Sequence, residues 1–183
     1  MKKLLCSMGA LAALTLAGCG GSNESVIDPN VLVDANFDTL AGWIPDAMSG
    51  TLARGKAHSG NYALKVDGTH EYSLGYTAPL GNLSGTRIKK IKVSAWTFLP
   101  AAGASATLVV TVGNPATPAE KPLMWEGISL GKLAAPGKWV EVSKVITLPE
   151  NILPTYTLGL YLWREGSASQ PIYLDDLRVT IEP

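Results

Sequence analysis

The sequence predicts an all-β domain in which two antiparallel sheets pack face to face. No apolar stripe of helical period runs for any length after residue 30. Short segments of alternating polarity recur instead, each bounded by Gly, Pro, Asn or Ser. The chain beyond residue 30 is roughly 150 residues long, the size of one domain with one core. Many short strands with turn chemistry between them fold as a sandwich, not as separate helical layers.

Residues 1–18 stand outside that domain. Lys2 and Lys3 precede an apolar run from Leu4 to Leu16, which is too short to span a bilayer as a permanent helix. Small residues then lead to Cys19, as signal-peptidase cleavage requires. The segment is similar to a bacterial lipoprotein signal, which implies that Cys19 becomes the lipid-modified first residue of the mature chain. Residues 19–30 are polar and Gly-rich and read as a tether between lipid and domain. Gly20 is not the aspartate associated with inner-membrane retention, so the resemblance points to the outer membrane of a bacterial envelope.

The chain has two cysteines, Cys6 within the signal and Cys19 at its end, so residues 31–183 hold no thiol. A disulfide scaffold, a zinc–cysteine site and a thiol enzyme are excluded for that domain. Acidic and basic residues number 15 each, and Lys2 and Lys3 leave with the signal, so the mature chain is mildly acidic. That balance argues against nucleic acid and against anionic lipid surfaces as partners.

The expected strands are 62–66, 71–77, 87–98, 106–112, 123–130, 139–147, 156–163 and 171–181. In 87–98, Ile91, Val93 and Ala95 form the core face, with Lys92, Ser94, Trp96 and Phe98 opposite. In 156–163, Leu158, Leu160 and Leu162 face the core, and Gly159, Tyr161 and Trp163 face away. Leu108, Val110 and Val112 alternate with Val109 and Thr111 in the same manner. If these strands are neighbours, one outer face carries Trp96, Tyr161 and Trp163, with Trp125 closing one end. Trp43 and Trp139, at strand starts beside glycines, read as core anchors.

The last strand poses a separate question. Tyr173, Leu177, Val179 and Ile181 share one parity, and Asp175 falls in register with them. A carboxylate aimed into a core is costly unless something meets it. Either it holds a metal, or it accepts hydrogen bonds from backbone N–H groups or from an arginine such as Arg54.

Several motifs in order, from Asn36 to Ile181, resemble those of the β-jelly-roll carbohydrate-binding modules and the related galactose-binding-like domains. They are Asn36-Phe-Asp38, Trp43, Ala57-His-Ser-Gly-Asn-Tyr-Ala-Leu-Lys-Val66, Val93-Ser-Ala-Trp96, Gly137-Lys-Trp-Val140, Leu158-Gly-Leu-Tyr-Leu-Trp163 and Tyr173-Leu-Asp-Asp-Leu177. The resemblance implies a jelly roll that binds a glycan without catalysis. It also implies a structural calcium held by Asp38 and the inward member of the closing pair, Asp175, with backbone carbonyls near residues 56–60. Asp38 departs from the longer glutamate usual at its position.

On this reading Trp96, Trp125, Tyr161 and Trp163 are the ligand-binding residues, because sugar rings pack C–H faces on aromatic planes while their hydroxyls seek polar partners. The alternative is an envelope lipoprotein whose jelly roll contacts another protein. An aromatic face flanked by hydrogen-bonding side chains distinguishes the first case, and a flat apolar patch the second. Enzyme chemistry has no support in the motifs: there is no Gly-x-Ser-x-Gly, phosphate loop or His-Glu-x-x-His. His58 and His70 have no partner at zinc-ligand spacing.

Overall fold

A computed structural model describes residues 28–40, 46–166 and 170–183. Cys19 and Trp43 lie outside the described residues. Ten strands are described: β1 (Val31–Ala35), β2 (Leu52–Arg54), β3 (Tyr62–Val66), β4 (Tyr76–Pro79), β5 (Lys90–Phe98), β6 (Ala106–Gly113), β7 (Met124–Ser129), β8 (Trp139–Thr147), β9 (Thr157–Arg164) and β10 (Ile172–Glu182). Short helical turns occur at Asp38–Leu40, Asp46–Ser49, Leu80–Leu83 and Leu130–Leu133. Among the described residues no helix is long and apolar enough to cross a membrane.

The strands form two antiparallel sheets. Sheet A runs β2-β3-β10-β5-β8, with β1 also on β10, and sheet B runs β4-β9-β6-β7. The expected two-sheet sandwich is therefore present, and β1 and β2 are additions to the expected strands. Leucine and valine parity builds the core. Ile91, Val93 and Ala95 of β5 meet Leu108, Val110 and Val112 of β6 and Leu158, Leu160 and Leu162 of β9 in one buried cluster. A slip of one residue in β9 would bury Tyr161 and Trp163 and expose three leucines, so the core fixes the register.

β10 departs from simple alternation. Its pairing with β5 shifts register between Asp175 and Arg178, and Asp176 takes a left-handed φ of 47°. This is a β-bulge, with one residue more on β10 than the partner strand can match. Ile172 and Leu174 face the core before it, and Leu177 and Val179 face the core after it. The expectation that Asp175 shares the core face of Tyr173 and Leu177 is thus corrected. Asp175 is fully buried, but on the outer side of sheet A, beside its β5 partner Trp96.

Candidate functional site

The outer face of sheet B gathers most of the expected aromatic residues. Opposite the leucines, β9 presents Gly159, Tyr161 and Trp163. In register beside them on β6 lie Thr111, Val109 and Thr107, and beyond those on β7 lie Trp125, Gly127 and Ser129. Trp125 and Trp163 meet edge to face with ring centroids 6.5 Å apart. A Cβ on Gly127 would sit about 3.1 Å from the Trp125 ring, so the indole lies across this glycine toward Trp163. Val109 is fully buried yet outside the inter-sheet core, so the residues around it close over it from the outer side.

A fourth ring comes from outside the expected set. Tyr72 bridges Trp163, and its ring lies 6.0 Å from that of Tyr161. The row from Tyr72 through Tyr161 and Trp163 to Trp125 crosses the strands, and its two ends, Tyr72 and Trp125, are each about half exposed. Alternation could not reveal Tyr72, because its place depends on pairing with a strand some 90 residues away.

Polar groups border the row. Trp163 Nε1 donates to Glu71 Oε1 at 3.1 Å. On the other side of Trp163, the Ser105 hydroxyl donates to Glu165 Oε2 at 2.5 Å and the Thr107 hydroxyl donates to Glu165 Oε1. Those hydroxyls hold the Glu165 carboxyl below the usual glutamate range. An ionised carboxylate with committed hydroxyl donors suits acceptance of hydrogen bonds. It does not suit the acid of a glycosidase pair, which needs a raised pKa.

Trp96 does not join this row. β5 belongs to sheet A and β9 to sheet B, so Trp96 lies on the opposite side of the sandwich from Tyr161 and Trp163. Its face is taken by His58, stacked with a centroid separation of 3.8 Å and an interplanar angle of 9°. Trp139 is also corrected: it is half-buried on the same outer face, 5.8 Å from Phe98 and 5.8 Å from His58, and is no core anchor. Lys56 Nζ covers the Phe98 ring at 3.5 Å. The sheet A aromatics therefore seat the 56–61 turn and leave little ring face for a ligand.

Asp175 sits under that turn. Its Oδ2 accepts from His58 N at 2.7 Å and Ser59 N at 3.0 Å, and its Oδ1 accepts from Asp176 N at 2.7 Å. Burial pushes its carboxyl pKa up, while these N–H groups pull against the rise. Asp176 latches the turn from outside: His58 Nδ1 lies 2.6 Å from Oδ2, and the Ser59 hydroxyl donates to Oδ1 at 2.5 Å. Arg54 has no part in this arrangement among the contacts of Asp175.

Asp38 approaches the same turn from the other side. Phe37 adopts φ 65°, which buries its ring and directs Asp38 toward Asn61, whose N–H donates to Asp38 Oδ1 at 2.8 Å. Gly60 has φ 59°, and a Cβ there would meet Asp38 Oδ2 at 1.6 Å, so only glycine fits. Two carboxylates, Asp38 and Asp175, thus reach one turn. Three N–H groups already occupy Asp175. Calcium takes about six to eight oxygens, so backbone carbonyls would have to supply most of the rest. Among the described residues no three His, Cys, Asp or Glu side chains converge on a metal position.

No protein-family model matches the chain, and no curated protein matches it. Solved structures do. The CBM22-1-GH10 modules of Clostridium thermocellum endo-1,4-beta-D-xylanase 10B, complexed with xylohexaose, match 84% of this chain at 17% identity and TM-score 0.55. This chain spans 29% of that protein. The CBM22-2 xylan-binding domain from Paenibacillus barcinonensis Xyn10C matches 82% of this chain and 99% of its own length, at 17% identity and TM-score 0.51. The C-terminal family 22 carbohydrate binding module of Clostridium thermocellum Xyn10B matches 84% and 94%, at 9% identity and TM-score 0.53. At such identities the likeness establishes the fold alone, that of the β-jelly-roll carbohydrate-binding modules.

Proposed function

We propose that this domain binds a polysaccharide without catalysis, on the outer face of sheet B, and that Cys19 anchors it to the bacterial envelope. The observation that carries the reading is the cross-strand row of Tyr72, Tyr161, Trp163 and Trp125, bordered by Glu71, Glu165, Ser105 and Thr107. Aromatic planes take the C–H faces of sugar rings, and the carboxylates and hydroxyls offer partners to sugar O–H groups. A flat apolar patch suited to a protein partner would lack that polar border. The xylan-binding modules that share the fold support the reading and make β-1,4-xylan the first polysaccharide to try.

A structural calcium held between Asp38 and Asp175 belongs to the same proposal. It would tie the 56–61 turn to β10, with a stabilising role and no part in ligand contact.

Affinity electrophoresis of the chain from Ser22 onward, in gels carrying xylan or other soluble polysaccharides, tests the main claim. Retardation by at least one polysaccharide is expected, with Trp163→Ala and Trp125→Ala each weakening it at least tenfold. Hot-spot aromatics at about 2 kcal/mol give that magnitude or more. No retardation on any gel, together with a silent glycan array, overturns the proposal.

A further inference from the structure

Both ends of the described domain lie at one end of the sandwich. Val31 pairs with Thr180, Asn30 O accepts from Ile181 N, and Glu182 pairs with Lys90. β4 finishes there and β5 begins there, as do β8 and β9, so loops 80–89 and 148–156 cap the same end. Loop 113–123 joins them, because Gly113 pairs with Thr157 at the start of β9. Two exposed leucines, Leu123 and Leu153, lie at this end. A cavity of about 370 Å³ opens among Leu80, Ile88, Ile152 and Pro154, and Leu153 on its rim is 52% exposed. Arg87 lines the cavity, and the loops and strand ends of this face carry charges of both signs, Lys89, Lys90 and Lys121 against Asp28, Glu120, Glu150 and Glu182.

We infer that this end rests on the lipid bilayer, so that the aromatic row stands off the membrane and runs parallel to it. Such an orientation depends on the proposed acylation of Cys19. Nine residue steps lead from Cys19 to Asp28, a reach of at most about 32 Å. β10 alone, with 11 residues and so ten steps, is about 33 Å long at the usual strand rise, and the loops beyond its Ile172 end add to that height. An inverted domain would therefore lift Asp28 beyond the reach of its anchor. Of the placements that remain, the end-on one lets Leu153 and the mouth of the cavity meet the lipid interface, and the mixed charges around them make neutral lipid a suitable partner.

The strands then stand up from the membrane, and Trp163 lies six residues along β9 from Thr157, about 20 Å from the bilayer end. Because the aromatic row crosses the strands, a bound glycan chain would lie along the membrane surface at that height.

Two matched probes test this. Leu153 at the bilayer end and Leu133 at the opposite end are 52% and 54% exposed. Leu153→Cys and Leu133→Cys in the full acylated chain would each hold one free thiol, since Cys6 leaves with the signal and the Cys19 thiol is blocked. Each is labelled with an environment-sensitive fluorophore and reconstituted in phosphatidylcholine vesicles carrying a headgroup nitroxide quencher. Quenching at position 153 should exceed that at 133 severalfold. Equal quenching, or more at 133, overturns the orientation while leaving the anchor intact. The intact mass of the same preparation separates the two claims: a chain without acyl groups at Cys19 removes the anchor on which the orientation depends.

Discussion

Replacing Asp175 with alanine should loosen the 56–61 turn and lower stability substantially. The variant would orphan the N–H groups of His58, Ser59 and Asp176, which now reach Asp175 at 2.7, 3.0 and 2.7 Å. A hydrogen bond to a charged acceptor contributes about 1.5–3 kcal/mol, and a buried donor left unmet costs about 1–3 kcal/mol. Two effects reduce the sum. The desolvation of a buried carboxylate is relieved, and His58 is 29% exposed, so water can reach part of the turn. A net loss of about 3 kcal/mol remains, or about 6–12 °C in melting temperature for a domain of this size. Asp175→Asn should lose about half as much, because one oxygen persists but its amide nitrogen confronts an N–H donor. Differential scanning calorimetry of the soluble chain from Ser22 reads both. A melt of Asp175→Ala within about 2 °C of wild type would refute the idea that this carboxylate holds the turn.

Trp96→Ala should destabilise the domain by about 2 kcal/mol, through loss of the His58 stack and its buried area, yet leave polysaccharide retardation of the folded fraction unchanged. Loss of binding at an unaltered melting temperature would return Trp96 to the ligand site. With calcium bound, chelator should lower the wild-type melt, and calcium should restore it by about 2.7 kcal/mol at a hundredfold excess over its dissociation constant. Asp175→Ala should not respond, and coincident wild-type melts in a metal-free sample would leave Asp175 to its N–H donors. Glu165, held below its ordinary pKa by Ser105 and Thr107, contributes stability that is present above the unfolded value and lost as pH falls through the lower folded value. The melting gap between wild type and Glu165→Gln should therefore be steady near neutrality and shrink below about pH 4.3, as followed by circular dichroism. A gap that widens there would contradict the assigned shift.

Parity in the sequence was enough to place Tyr161 and Trp163 outward, because three leucines on the opposite face leave the strand one register. It could not assign Trp96 to a sheet. Alternation gives a side chain its face, whereas sheet membership depends on pairing between distant segments, and here β5 pairs with β8 and β10 while β9 pairs with β4 and β6. The same limit hid Glu71 and Tyr72. β1 and β2 were illegible for other reasons: Leu32 and Val33 of β1 are both buried, on opposite parities, and β2 has three residues, too few for a period to show. The bulge in β10 escaped because Tyr173-Leu-Asp-Asp-Leu177 offers apolar residues on both parities before it, so an unbroken count runs straight through the extra residue.

That extra residue makes β10 tolerant of a change most strands could not survive. Removing one residue from an ordinary strand turns every later side chain to the wrong side. Deleting Asp176 would instead leave Leu174 inward, Asp175 outward, Leu177 inward, Arg178 outward and Val179 inward, a regular ladder that preserves the core. What the deletion removes is the outer latch on the His58 ring and the Ser59 hydroxyl, while Asp175 keeps His58 N and Ser59 N within its reach. The hydrophobic interior has no use for Asp176, and a chain one residue shorter would fold as the same sandwich with its 56–61 turn held by Asp175 and Asp38 alone. Length variation at this point in the chain is thus open to selection acting on the turn alone.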